Sequence, residues 1–159
     1  MTGIQDSTTN HFGSLIRSGM KFIIPKFQRD YSWDSEQWDD LWADIETMLN
    51  EGTDHYMGYL VLQTSNTKST IIIDGQQRFT SIVLLLYILS VIEGKSSEFD
   101  KNLQTAHPTI RFSYNVRPQT ETFLRRLFAS KNITRESIVN QNWYMPNYDN
   151  DVTISSMIN

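Results

Sequence analysis

The run Ile71-Ile72-Ile73-Asp74-Gly75-Gln76-Gln77-Arg78-Phe79-Thr80 holds the residues best suited to chemistry. A β-branched strand ends in an acid, turns on a glycine and enters a helix carrying two amides and an arginine. Backbone N–H groups at a helix N-terminus lack intrahelical acceptors and point outward, which suits them to an anion. Glycine lets the backbone approach such an anion closely. Arg78 presents a fixed fork of donors that matches phosphate oxygens, and it keeps its charge. Asp74 can hold a metal ion, orient a water or lock Arg78. Two readings follow. One is anion binding. The other is a purely structural turn, in which Asp74 caps the helix and Arg78 pairs with it.

A second segment, Ile24-Pro25-Lys26-Phe27-Gln28-Arg29-Asp30-Tyr31-Ser32-Trp33, sets Gln28 and Arg29 among aromatic residues. Rings beside an amide and an arginine suit a nucleobase, which stacks on one and is hydrogen-bonded at its edge by the others. Phe27 and Trp33 read better as core residues. Arg29 reads as functional, because a loop arginine between aromatics has few structural uses.

Other chemistries find little support. His11, His55 and His107 are far apart in sequence and form no metal-ligand spacing or HExxH motif. No GxxxxGK[ST] loop is present, which excludes a Walker-type NTPase. Ser81 and Ser113 lack evident histidine and acid partners for a hydrolase triad. Asp39, Asp40 and Asp44 share one helix face and read as solvated. The chain has no cysteine, so disulfides and thiol catalysis are out, and a reducing cytoplasm fits.

The elements that must position these residues are legible from periodicity. Phe12 to Ser18 reads as a short helix and Lys21 to Ile24 as an extended piece, while Pro25 biases Ile24 away from helix. Asp34 with Gln37 three residues on forms a capping box, and Trp38, Leu41, Trp42, Ile45 and Leu49 make the apolar stripe of the helix that follows. Tyr56–Leu62 and Ser69–Asp74 read as strands joined by a loop over Gln63–Lys68. The second of them is a central strand covered on both faces. The helix after Gly75 is apolar almost all round, which predicts burial, and Gly94 ends it. Thr109–Ser113 alternates as a strand. Gln119–Ala129 and Thr134–Asn140 resume helical spacing. The pattern Val152-Ile154-Met157-Ile158 reads as the opening turns of one more helix that the chain leaves unfinished.

At 159 residues, 39% hydrophobic and 20% charged, the chain has the size and composition of one ordinary folded domain. Its most apolar run, Ser81–Ile92, is too short to span a bilayer, and no charged-then-apolar leader opens the sequence. The net charge of −4 argues against a simple electrostatic nucleic-acid binder. The charge is uneven, however. Acids crowd residues 34–54, and cations gather between Lys101 and Arg135.

Taken together, the motif Ile24-Pro25-x-Phe27-Gln28-Arg29-x-Tyr31-x-Trp33, then Tyr56-Met57-Gly58 and Asp74-Gly75-Gln76-Gln77-Arg78-Phe79-Thr80, resembles the N-terminal domain of GmrSD-type modification-dependent restriction enzymes. Arg111-Phe112-x-Tyr114-x-x-Arg117 and Asp151-Val152-Thr153-Ile154 extend the likeness over nearly the whole chain. Met57 departs from the leucine common in relatives, a volume-conserving change. The resemblance implies an α+β fold of the ParB and sulfiredoxin kind: a small mixed sheet with packed helices over 1–118, followed by a helical extension over 119–159. It implies a nucleotide-binding and often nucleotide-hydrolysing module. Asp74, Gly75, Gln76, Gln77 and Arg78 contact phosphate, Gln28 and Arg29 close the pocket opposite, Thr80 supports the turn and Arg117 adds a phosphate contact. The implied catalytic residues are Asp74 and Arg78, and the implied cofactors are an NTP and a divalent metal, Mg²⁺, on Asp74. Implied partners are DNA, modified or not, a nuclease of the H-N-H type whose motif this sequence lacks, and a second copy of the chain.

Two functions compete on this reading. The first is a nucleotide-dependent regulatory domain of a restriction or phage-defence system. The second is a module without turnover that recognises a modified or phosphorothioated DNA backbone, with the basic stretch Arg111–Arg135 supplying phosphate contacts, and that gates a partner nuclease. A protein-interaction scaffold with a purely structural DGQQR turn is the third and plainest.

Overall fold

Four short strands and the helices between them account for the residues that the computed structural model describes, 6–66, 68–103 and 111–159. In chain order they are α1 (Phe12–Arg17), β1 (Lys21–Ile24), α2 (Ser35–Glu51), β2 (Val61–Asn66), β3 (Ser69–Asp74), α3 (Gln76–Ile92), α4 (Ser96–Leu103), β4 (Phe112–Tyr114), α5 (Pro118–Ser130), α6 (Arg135–Val139), a 3-10 turn (Pro146–Asn150) and α7 (Val152–Ile158). The strands form one mixed sheet in the order β2-β3-β1-β4. β1 pairs in parallel with β3 and with β4, placing Phe22 opposite both Thr70 and Phe112. β2 runs antiparallel to β3. This is the small mixed α+β sheet with packed helices that the sequence implies.

Phe79, on the first turn of α3, joins the sheet to its helices. Its ring lies 5.0 Å from Phe22, 5.3 Å from Phe12 and 5.7 Å from Phe112, in tilted contacts. Such pairs add to the apolar area already buried. Around it Ile24, Ile72, Val83, Tyr87, Phe112 and Tyr114 form one core that also takes in Phe123, Leu124, Leu127, Phe128, Tyr148 and Ile154. The residues after 118 therefore share the core of the sheet. Glu121 of α5 reinforces this by accepting the N–H of Tyr114 at 2.8 Å.

Local signals place most elements. The Asp34–Gln37 capping box is present, with Gln37 Oε1 accepting the Asp34 N–H at 2.9 Å, and Gly52 closes α2 in the left-handed region. The stripe on α2 behaves differently from expectation. Leu41 is its one buried residue, and Trp42 and Leu49 face outward. α3 also departs from all-round burial. Val83, Leu84 and Tyr87 enter the core, but Leu86, Leu89 and Ile92 are exposed, because the sheet covers one side of the helix. β3 lies inside the sheet as predicted, yet it is fully buried on one face only, with Thr70 and Ile72 inward and Ile71 and Ile73 half-covered.

Boundaries move where pairing overrides pattern. The strand expected from Tyr56 begins at Val61, since Gly58 turns at φ 89° and keeps 56–60 a loop. β2 then continues to Asn66, through residues expected to be loop, because its backbone pairs with β3 from Asp74 to Ser69. Its Gln63 and Thr64 side chains stay in solvent, as an edge strand allows. The strand expected over Thr109–Ser113 is paired at Phe112–Tyr114, and Thr109, Ile110 and His107 lie outside the described residues. α4 carries no strong sequence pattern. Its Phe99 nevertheless packs 5.5 Å from Tyr87 and 5.1 Å from Phe128. Among the described residues no helix is long and apolar enough to cross a membrane.

Candidate functional site

β3 delivers Asp74 to the end of the sheet, and Gly75 at φ 85° turns the chain directly into α3. Asp74 Oδ1 accepts the Gly75 N–H at 2.8 Å. No side chain caps α3, so the N–H groups of Gln76, Gln77 and Arg78 keep the open character of a helix start. The arrangement in which Asp74 caps the helix and pairs with Arg78 is thus met only in part. Asp74 holds the turn, while Arg78 reaches away and donates from Nη1 to the carbonyl of Met57.

Two glutamines clasp the loop 25–33 onto this turn. Gln28 Nε2 donates to the carbonyl of Ile73 at 2.7 Å, fixing the loop to the last residues of β3. Gln77 uses both ends of its amide. Its Oε1 accepts the Ser32 N–H at 3.0 Å and its Nε2 donates to the Asp30 carbonyl at 2.8 Å. Gln28 and Gln77 are thus both hydrogen-bonded to backbone groups, of β3 and of the loop respectively. Thr80, fully buried, donates to the Gln76 carbonyl at 2.7 Å and braces the same turn. Gln76 is buried as well, and its Oε1 has no hydrogen-bond partner. Thr70 Oγ1 and Thr120 Oγ1 are likewise buried without a partner among the described residues.

The remaining candidates divide. Arg29 is exposed beside the clasp. Arg117 is paired with an acid. Its Nε and Nη2 bind the two carboxylate oxygens of Asp30 at 2.9 and 2.7 Å, and the Asp30 carboxylate, first by hydrogen bonding and then by its charge, raises the guanidinium pKa further. The loop aromatics also sort differently from expectation. Phe27 is 72% exposed rather than core, Tyr31 is fully buried with its hydroxyl 2.7 Å from Ser81 Oγ, and Trp33 packs edge-on against Trp38. Phe27 projects because the Pro25 turn, closed by the Gln28 N–H on the Pro25 carbonyl at 3.1 Å, puts it at the outer corner.

One segment of the site was read as strand and missed. The loop 56–60 is held against the α3 start by Arg78 on Met57. A Cβ at Gly58 would clash with Arg78 Nη1, and a Cβ at Gly75 would sit 2.8 Å from the Tyr59 carbonyl. Gly75 is therefore required by contact with this loop. The available signal was Gly58 itself, since a glycine inside a strand pattern often marks close backbone approach.

Residues 11–156 match the sequence model of the GmrSD restriction endonuclease N-terminal domain. The chain belongs to that family. No curated protein matches it. As a GmrSD N-terminal domain it is a component of a restriction-endonuclease system, the setting of phage defence. Among the described residues no group of three or more histidines and acids could hold a metal ion. At the turn of this GmrSD domain Asp74 is exposed, and among the described residues its Oδ2 takes no hydrogen bond.

Proposed function

We propose that this domain is the nucleotide-binding regulatory module of its restriction system, with the triphosphate seated at the start of α3. The observation that carries the reading is the uncapped helix start beside Arg78 and Asp74, braced from behind by the Gln28 and Gln77 clasp. The N–H groups of Gln76, Gln77 and Arg78 would bind phosphate oxygens, and Arg78 would add charge from its remaining donors. Arg29, exposed on the clasped loop, would add charge to the same phosphates. Asp74 would hold Mg²⁺ through its free oxygen or orient a water. Bound metal supplies neutralisation of the phosphate charge.

Hydrolysis of the NTP is part of the proposal, with Asp74 and Arg78 as the catalytic residues: Asp74 directs the attacking water, and Arg78 stabilises charge on the departing phosphate. Occupancy would then gate the nuclease of the same system on DNA.

One finding weighs against the DNA-backbone alternative. Much of the basic stretch that would contact DNA is internally engaged: Arg117 on Asp30, Arg125 near Glu121 at 3.8 Å, Arg126 on the Trp143 carbonyl, Lys131 on Asp100 and Arg135 on Asn159. Calorimetric titration of ATP, GTP, CTP and UTP, with and without Mg²⁺, into wild type and Arg78→Ala tests the reading. Saturable binding that the folded variant loses supports it. Absence of binding by all four defeats it. Binding of a DNA duplex instead, weakening steeply with salt through counterion release, would favour the DNA reading.

A further inference from the structure

The loop 56–60 exposes two large rings beside the phosphate site. Tyr56 is 65% exposed and Tyr59 80% exposed. Their ring centroids are 5.8 Å apart at 83°, an edge-to-face pair. In that geometry the edge of one ring meets a face of the other and the remaining ring faces are not covered by the pair itself. Two close approaches fix the pair relative to α3. Arg78 donates to the carbonyl of Met57, between the tyrosines in sequence, where only a glycine at 58 leaves room for its guanidinium. The Tyr59 carbonyl packs against Gly75, at a distance that no Cβ would tolerate. The Tyr56 phenol also feels its surroundings. Its pKa is raised, by desolvation first and by Tyr59 next, with the Arg78 cation pulling it back.

We propose that Tyr56 and Tyr59 form a stacking platform for the base of a nucleotide whose phosphates lie at the start of α3. This rests on the phosphate-site reading above and adds the second half of the ligand. Arg78 would serve both halves, since its contact with Met57 places the loop while its free donors face phosphate. Stacking reads a π-face rather than a pattern of donors and acceptors, so the platform would accept all four bases with modest preferences. The ligand chemistry is a nucleoside phosphate with an unpaired base, supplied either by a free NTP or by an extruded nucleotide of a DNA strand.

The experiment compares ATP, GTP, CTP and UTP with inorganic tripolyphosphate, each with Mg²⁺, on wild type and on the double variants Tyr56→Ala/Tyr59→Ala and Tyr56→Phe/Tyr59→Phe. A short single-stranded oligodeoxynucleotide and the same strand with one abasic position form a second arm. Both tyrosines are exposed, so the variants fold, and a thermal melt verifies it. Expected are nucleotides that bind about ten- to a hundredfold tighter than tripolyphosphate, an advantage abolished by the alanine pair, kept by the phenylalanine pair, and an unchanged tripolyphosphate affinity. The same loss in the oligonucleotide arm instead, with the abasic strand binding weakly, identifies an extruded base as the source. Equal binding of nucleotide and tripolyphosphate, or an advantage that survives the alanine pair, overturns the platform and leaves the phosphate site standing. Tyrosine-dependent nucleotide binding without tripolyphosphate binding would leave a base-stacking surface but overturn the proposal as stated, because its phosphate half is removed. Absence of all binding removes both.

Discussion

Arg117 grips both carboxylate oxygens of Asp30, at 2.9 and 2.7 Å, across 87 residues of sequence. Asp30 Oδ1 also accepts from Thr153 Oγ1 at 3.1 Å, and Thr153 Oγ1 in turn accepts the Tyr31 N–H at 3.1 Å. The loop that Gln77 clasps is thereby tied to α5 and α7 from its other side. Arg117 side-chain exposure of 42% screens the charge, so the pair is worth less than a buried one. Arg117→Ala is expected to destabilise by about 1–2 kcal/mol in urea unfolding, with Arg117→Lys recovering only part because an ammonium cannot bind bidentately. A tripolyphosphate affinity that falls by more than tenfold in folded Arg117→Lys would show that this arginine touches ligand after all.

Gly75→Ala combines a left-handed backbone with a Cβ 2.8 Å from a rigid carbonyl. A loss of about 3 kcal/mol or more is expected, since strain at such a backbone alone costs about 1–3 kcal/mol. Gly58→Ala meets only the movable end of Arg78, and it should cost about 1–2 kcal/mol while displacing the guanidinium. Denaturant midpoints order the two variants, and equal stabilities would contradict the close approach at Tyr59.

Phe79→Ala removes the ring shared by Phe12, Phe22 and Phe112, for an expected loss of about 3–5 kcal/mol. Leu86→Gln on the exposed side of the same helix is expected to stay within about 0.5 kcal/mol of wild type. Urea unfolding of both variants reads out which side of α3 faces the core.

Alkali should unfold the protein through its buried tyrosines. Burial pushes the Tyr31 phenol up to about 12, against the lowering influence of its Ser81 hydrogen bond, and Tyr87 and Tyr114 are raised by burial as well. A folded pKa above the unfolded value near 10 means that the stability is fully present below pH 10 and is lost as pH rises toward 12. Tyr31 alone would remove about 2 kcal/mol by pH 12. Absorbance at 295 nm against pH, run beside a denaturation series, checks the window. Tyrosine ionisation complete by pH 10.5 without unfolding would refute it.

What the chain dictates locally came through in its residues. The Asp34–Gln37 box, the turn at Gly75 and the stripe of α5 rest on contacts three or four residues apart, so sequence alone specifies them. The clustering of Asp74, Gly75 and Arg78 at one helix start was legible for the same reason, as was the family through its two motifs. Packing partners were not. Period tells that a stripe is apolar but not whether the sheet reaches it, and so Trp42 and Leu49 face solvent on α2. Phe27 and the Tyr56–Tyr59 pair turned outward because a proline turn and Gly58 redirected the chain there. Arg117 found Asp30, and Gln28 and Gln77 found backbone, only once strands distant in sequence had paired. Local hydrogen bonds close within a turn or two, whereas these contacts require a loop of dozens of residues to be closed and its cost met by the shared core. Tertiary structure alone therefore decided which candidates are held by other residues and which, such as Asp74, Arg78 and Arg29, stay exposed.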